Sequence, residues 1–314
     1  MDKIELVKRN SVEIINEKDL RKTLNKSNPI CYCGYETSGE IHLGHLVTIT
    51  KLVDLEKAGF KVKVLFADWH TYLNKKGDWD FINEQVKTWK AGFRAAGLSK
   101  AEFVVGSSFQ RKKEYQDDLL KLAANTTMNR ALRSMQKVAR DVDQAKVSQV
   151  IYPLMQIVDI KHLGVDVVQS GIEQRKIHMM GVEKFKDLEY KVPVFVHTPL
   201  IDGLSGPGSK MSSSEPNSFI SIRDTDEKIR SKLKKAYCPV GEDNPVLQIA
   251  QLIVFPRIDK FVISRDEKFG GDLEFTEFSK LEKEFFKKNV HPVDLKKAVG
   301  DYLIDIIGPI RKKF

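Results

Sequence analysis

Residues 30–35 read ICYCGY, a short apolar run ending at Gly34 and Tyr35, and after a turn the period changes. From Leu43 to Ala58 apolar side chains recur at helical spacing, and Gly59 stops the pattern. Residues 61–67, KVKVLFA, then read as a second strand. Strand, loop, helix and strand in that order predict a parallel βαβ unit. Residues 79–96 read as a helix with Ile82, Val86, Trp89 and Phe93 on one face. Short strands are expected at 103–106, 166–168 and 194–196. Residues 114–140 read as one strongly helical run carrying Arg130, Arg133 and Lys137 on its polar side. A further helix is expected over 151–163, with Pro153 tolerated in its first turn. The opening residues, MDKIELVKRNSVEII, read as an amphipathic helix. Residues 202–218, DGLSGPGSKMSSSEPNS, are the clearest loop, and the segments beyond (225–237, 244–254, 276–288, 293–307) are helical in character.

This order predicts an α/β chain. A doubly wound parallel sheet of Rossmann type is expected over 1–220, with a helical insertion at about 110–148 and a loop at 205–218. A helical domain is expected over 221–314.

Composition narrows the class more than the chemistry. Hydrophobic residues make up 41% of the 314 and charged residues 30%, ordinary for a soluble globular protein. No apolar run reaches the ~18 residues of a membrane span. The first segment mixes acids into its basic residues, unlike a signal peptide. Three cysteines cannot form a paired disulfide framework, and Cys31 and Cys33 have no further metal ligands nearby. Reduced, buried thiols, a cytoplasmic location and no metal site in the protein itself are therefore expected. The formal net charge of +9, with clusters such as Arg111-Lys112-Lys113 and Arg311-Lys312-Lys313, fits either a solvated surface or a polyanionic partner.

Two motifs carry chemistry. His42-Leu43-Gly44-His45 lies between the first predicted strand and its helix. In open parallel sheets this is where ligands bind, and a helix N-terminus there is expected to offer free N–H groups to anions. Gly34, Gly39 and Gly44 keep the backbone open to a ligand, and the histidines, three apart, face one way to donate to a phosphate chain. Far downstream stands Lys210-Met211-Ser212-Ser213-Ser214 on the Gly-rich loop. Lys210 suits the charge of a departing pyrophosphate, and the hydroxyls of Ser212 and Ser213 suit phosphate oxygens. It is not a Walker A loop, because Ser209 separates Gly208 from the lysine. Either motif alone is equally consistent with ordinary histidines or a flexible linker.

Together, in this order and separation, they resemble the two signatures of class I aminoacyl-tRNA synthetases, HIGH-type and KMSKS-type. The resemblance spans essentially the whole chain. It implies ATP as a substrate with Mg²⁺, no tightly bound organic cofactor, and an ATP site at Gly34, His42, Gly44, His45, Lys210, Met211 and Ser213. Catalysis is implied at His42, His45, Lys210, Ser212 and Ser213.

A second constellation concerns the amino acid. Tyr152, Gln156 and Asp159 fall at i, i+4 and i+7, a polar stripe on a helix otherwise filled by Ile151, Leu154, Met155, Ile157, Val158 and Ile160. A buried polar stripe needs partners, and a polar ligand would supply them. With Tyr32, Glu36 and Gln174, and the run Gly171-Ile172-Glu173-Gln174-Arg175-Lys176, it resembles the pocket of tyrosyl-tRNA synthetases of archaeal and eukaryotic type. The resemblance implies that Tyr32 and Asp159 bind a phenolic hydroxyl. It implies that Tyr152, Gln156 and Gln174 hold the ammonium and that Glu36 lines the site. It further implies L-tyrosine and tRNA(Tyr) as partners, acceptor-end contacts at Arg133, Arg175 and Lys176, and anticodon contacts at Phe269 and Asp294 in a C-terminal anticodon-binding domain. A homodimer joined through the insertion and no membrane association are also implied.

Two positions depart from that family's pattern. Thr37 stands where proline is common, and Glu215-Pro216 where Lys-Gly is common. Tryptophanyl-tRNA synthetases share both signatures, but Tyr32 with Asp159 suits a hydroxyl better than an indole. A nucleotidyltransferase without a tRNA substrate would not need the C-terminal domain. A non-catalytic RNA-binding paralogue would be expected to lose His42, His45 and Lys210, all of which are present.

Overall fold

The computed structural model describes residues 1–135, 146–211, 215 and 217–313. They form two compact units, one of residues 1–38, 51–90 and 98–199, the other of residues 39–50, 91–97 and 200 onward.

The first unit is built from α1 (Lys3–Lys8), β1 (Glu13–Ile15), α2 (Leu20–Leu24), β2 (Ile30–Tyr35), α3 (Leu43–Lys57), β3 (Lys61–Phe66), α4 (Asp68–Leu73), α5 (Trp79–Ala95), β4 (Glu102–Val105), α6 (Ser107–Gln110), α7 (Lys113–Ala124), α8 (Met128–Ser134), α9 (Val147–His162), β5 (Val167–Gly171), α10 (Arg175–Lys184) and β6 (Val194–Thr198). The head of α3 and the tail of α5 belong to the second unit. The six strands lie in the order β1-β6-β5-β2-β3-β4, parallel except for β1. From β2 the chain winds outward through β3 and β4, and from β5 outward the other way through β6. The expected doubly wound sheet is present, and its switch point falls between β2 and β5, where ligands of such sheets bind at the strand carboxyl ends. Leu122, Ile157, Val158, Ile160, Met180 and Phe195 build the core that α7, α9 and α10 form against the sheet.

Three expectations change. The N-terminal helix is only six residues long. A capping box between Asp2 and Glu5 starts it, and the buried Lys51 ammonium accepts no bond but donates to the Leu6 and Val7 carbonyls at 3.1 and 2.6 Å, closing its end. Asn10 then turns the chain with φ 55°, and Glu13–Ile15 pair with β6 as an antiparallel edge strand. The helical run expected over 114–140 is broken after Ala124. Thr127 adopts extended backbone and its hydroxyl accepts from Arg130 N–H at 3.3 Å, starting α8 afresh. Residues 136–140 of that run, Lys137 included, lie outside the described residues. Finally, α9 begins at Val147, so Pro153 sits in the helix interior rather than its first turn.

The second unit holds α11 (Asp226–Lys235), α12 (Pro245–Ile249), β7 (Phe261–Ile263), β8 (Leu273–Phe275), α13 (Phe278–Phe286) and α14 (Pro292–Arg311). Ile229 and Leu233 of α11 and Val299, Leu303 and Ile307 of α14 are buried where the two helices pack. A two-stranded antiparallel sheet, β7-β8, joins the expected helices. No described helix is long and apolar enough to cross a membrane.

Candidate active site

The first unit gathers the predicted amino-acid pocket. Asp159 on α9 is fully buried, and its Oδ1 accepts from Tyr115 OH at 2.9 Å and Gln110 Nε2 at 2.8 Å. Its Oδ2 carries no hydrogen bond among the described residues; His70 Nε2 stands 3.6 Å from it. Burial pushes the carboxyl up to about 7, against the two hydrogen bonds that favour its charge. Tyr32 on β2 is equally buried, and burial followed by the Asp159 carboxylate drives its phenol well above the ordinary range. Tyr152 is raised by burial and then by Glu36, Tyr32 and Asp159, so these four groups share one field. Its ring meets His70 edge-on at 4.6 Å.

Glu36 is held from the residues that follow α4: Asn74 Nδ2 donates to it at 2.9 Å and Lys76 pairs with it. Gln156 donates from Nε2 to Gln174 Oε1 at 3.5 Å. All six predicted pocket residues thus belong to one unit, with Tyr32, Glu36, Tyr152 and Asp159 linked by charge and Gln156 linked to Gln174 by a hydrogen bond. Gln110, Tyr115 and His70 were not foreseen. Tyr115 and Gln110 lie more than forty residues from Asp159 in sequence, and the apolar stripe around Tyr115 reads as core.

Two local details revise the sequence reading. A Cβ on Gly34 would stand 2.6 Å from the Tyr32 hydroxyl, so that glycine makes room for the phenol two residues before it. Thr37, where proline is common, donates its N–H to Thr71 Oγ1 at 3.1 Å, a bond proline cannot make.

The second unit brings the two signatures together. His42 precedes α3, and its ring lies 4.0 Å from that of His45. The His42 N–H donates to His45 Nδ1 at 3.1 Å, and the Gly44 N–H donates to His42 Nδ1 at 3.1 Å. Both Nδ1 atoms are acceptors, so each neutral ring carries its proton on Nε2. A Cβ on Gly44 would come within 2.9 Å of the His42 ring, which explains the glycine. The helix N-terminus itself is not free as expected. Leu43 N–H donates to Ile220 O, and His45 and Leu46 N–H donate to His42 O. The donors this motif adds are imidazole N–H groups rather than the first backbone amides.

Lys210 pairs through its backbone with Asp202, and Gly203 N–H donates to Ser209 O at 3.2 Å. Gly206, with φ 101° and Tyr237 against it, makes the turn between them. Burial and then the Lys210 charge lower His42 to about 4, which keeps it neutral at physiological pH. Met211 is buried, while Ser212 and Ser213 lie outside the described residues. The buried ring of Phe219 stands 5.5 Å from His42.

The predicted RNA contacts are on surfaces. Arg175 and Lys176 open α10, exposed, with Arg175 paired to Glu13 at 2.8 Å. Arg133 is exposed on α8, which packs on α10 with Arg130 bridging to Glu183. In the second unit Phe269 is 65% exposed, with the Lys268 ammonium 5.0 Å over its ring. Asp294 opens α14 and lines a groove with Ser264, Lys297, Asp301 and Tyr302.

A doubly wound sheet with a paired-histidine helix start and a lysine loop defines a class of adenylating ligases, and the family comparison agrees. The model of tRNA synthetases class I (W and Y) matches residues 24–307, and the chain belongs to that family. It is 51% identical to the tyrosine–tRNA ligase of Methanocorpusculum labreanum over 309 residues, 98% of this chain and 96% of that protein. It is 47% identical to the tyrosine–tRNA ligase of Methanosarcina barkeri, over 99% of each. The crystal structure of tyrosyl-tRNA synthetase complexed with L-tyrosine from Archaeoglobus fulgidus superposes with a TM-score of 0.95 at 48% identity, covering 99% of this chain and 98% of that one.

Proposed function

We infer that this protein attaches L-tyrosine to tRNA(Tyr) through a tyrosyl-adenylate. The observation that carries this reading is Asp159, a fully buried carboxyl group whose Oδ2 has no hydrogen-bond partner among the described residues, beside the buried Tyr32 phenol. A ligand hydroxyl on that side completes the network, and an indole N–H offers only one donor and no acceptor for Tyr32. The archaeal relatives named as tyrosine–tRNA ligases, and one structure solved with L-tyrosine, support the same substrate.

In this reading Tyr32 and Asp159 bind the phenolic hydroxyl. Tyr152, Gln156 and Gln174 hold the ammonium, and Glu36 lines the site. ATP enters as its Mg²⁺ complex. The tyrosine carboxylate attacks the α-phosphorus, a carboxyl O–P bond forms, the bridge to the β-phosphorus breaks, and pyrophosphate leaves. His42 and His45 stabilise that transition as neutral N–H donors, and Lys210 supplies positive charge to the departing oxygens. Gly34, Gly44, Met211, Ser212 and Ser213 complete the ATP site. The terminal ribose hydroxyl of tRNA then attacks the acyl carbon and AMP leaves.

Arg133, Arg175 and Lys176 meet the acceptor end, and Phe269 and Asp294 in the C-terminal domain, 221–314, meet the anticodon. Apolar side chains exposed on the insertion, Leu120, Met128 and Val147, support a homodimer joined there. The direct test is amino-acid-dependent pyrophosphate–ATP exchange with each of the twenty amino acids. Exchange with tyrosine alone is expected; exchange with tryptophan alone, or none, overturns the reading.

A further inference from the structure

A line of hydrogen bonds runs from the pocket helix to the sheet edge. Gln156 Nε2 lies 3.4 Å from His178 Nε2, His178 Nδ1 lies 2.9 Å from His197 Nε2, and His197 Nδ1 lies 2.9 Å from Glu13 Oε2. Arg175 Nε holds both oxygens of Glu13, at 2.9 and 2.8 Å. The two imidazoles are buried and stacked, 8° from parallel. The line exists because β1 pairs with β6 in the register that sets Glu13 opposite His197.

Only one end of the line is chemically fixed. Arg175 holds the Glu13 carboxyl in its charged form, and a carboxylate only accepts. His197 must therefore donate from Nδ1, which leaves its Nε2 an acceptor. His178 must then donate from Nδ1 and accept at Nε2. Burial keeps both rings neutral, so neither has a second proton to escape this order. The Gln156 amide is left one orientation, with –NH2 toward His178 and Gln174 and its carbonyl oxygen turned away.

We propose that Glu13, His197 and His178 are positioning residues that set the orientation of the Gln156 amide through two fixed imidazole tautomers, so that its oxygen accepts from the substrate's ammonium. The assignment of Gln156 to the ammonium rests on the proposed function; the tautomer order does not. Without the carboxylate, the His197 proton can move to Nε2. The order then reverses, and Gln156 presents –NH2 to a cation.

Two measurements on the full chain test this. Long-range ¹⁵N–¹H spectra, with resonances assigned by His178→Gln and His197→Gln, should show both rings protonated on Nδ1; an Nε2-protonated ring at either position overturns the proposal. Glu13→Ala should raise the tyrosine KM in pyrophosphate exchange without tRNA by about tenfold, with kcat within about twofold. Binding of 3-(4-hydroxyphenyl)propionate, which lacks the ammonium, should not change. Glu13→Asp keeps a group that only accepts and should bring the KM back to within about threefold of wild type. Equal weakening of the ammonium-free analogue, or no rescue by aspartate, overturns the proposal. Failure of the wild-type protein to exchange with tyrosine would overturn the substrate reading and leave the spectroscopic result standing.

Discussion

Asp159 illustrates what one residue costs the fold and supplies to the site. In the unfolded chain its carboxyl ionises near 3.8, whereas burial in the fold holds the proton up to about 7. Between those values the unfolded chain releases a proton that the folded chain keeps, so this group makes stability fall as pH rises from about 4 to 7 and then level. Asp159→Asn keeps an acceptor for Tyr115 and Gln110 and removes the ionisation. At about 1.4 kcal/mol per pKa unit, it should gain a few kcal/mol at pH 8 and nothing at pH 4. Urea unfolding of both proteins at the two pH values measures this. Asp159→Ala should cut the preference for tyrosine over phenylalanine in exchange by about 10- to 100-fold, the worth of one buried bond to a charged group. Retained strong preference for tyrosine would count against the hydroxyl assignment. The sequence marked Asp159 through its spacing from Tyr152 and Gln156. It could not mark Tyr115 or Gln110, because their common partner is reached only across the fold.

At the scale of elements, the insertion was legible as helical but not as two helices. The break falls at Asn125-Thr126-Thr127, three weak helix formers, and what ends α7 there is a side chain competing for backbone. Thr126 Oγ1 donates to Leu122 O at 2.8 Å, and Thr127 caps α8. Thr127→Ala should destabilise the protein by about 1 kcal/mol, read as a lower urea midpoint with unchanged slope. Because α8 carries Arg133 and is tied to α10 by Arg130 and Glu183, the same change should weaken aminoacylation more than pyrophosphate exchange. The edge strand β1 was illegible for another reason. Three residues, Glu13-Ile14-Ile15, are too few to show a period, and only their pairing with β6 identifies them as a strand.

For the molecule as a whole, the formal charge of +9 suits a polyanionic partner, and the proposed contacts with it lie on both units. Phe269→Ala, in the second unit, should raise the tRNA KM for aminoacylation by about tenfold or more, as a lost stacking platform does, with exchange unchanged. A change in exchange would show that Phe269 serves the fold or the adenylation site instead. In sedimentation equilibrium the protein should have twice the 35.8 kDa of one chain, and charged substitutions at Leu120 and Met128 should return it toward that mass.

The sequence by itself determined the reaction class and pointed to a candidate substrate pocket. His42, His45 and Lys210, and the stripe Tyr152, Gln156 and Asp159, are local patterns whose chemistry survives in a one-dimensional reading. Apolar runs between helical patterns likewise determined the doubly wound sheet, in which β5 and β6 are buried at every position. Tertiary structure alone decided who satisfies whom. Tyr115 and Gln110 reach Asp159, Lys210 lowers His42, and Glu13 reaches His197 across 184 positions of chain. Hydrogen bonds and fields depend on separations of a few ångströms, and sequence distance carries almost no information about those once the chain has folded back on itself.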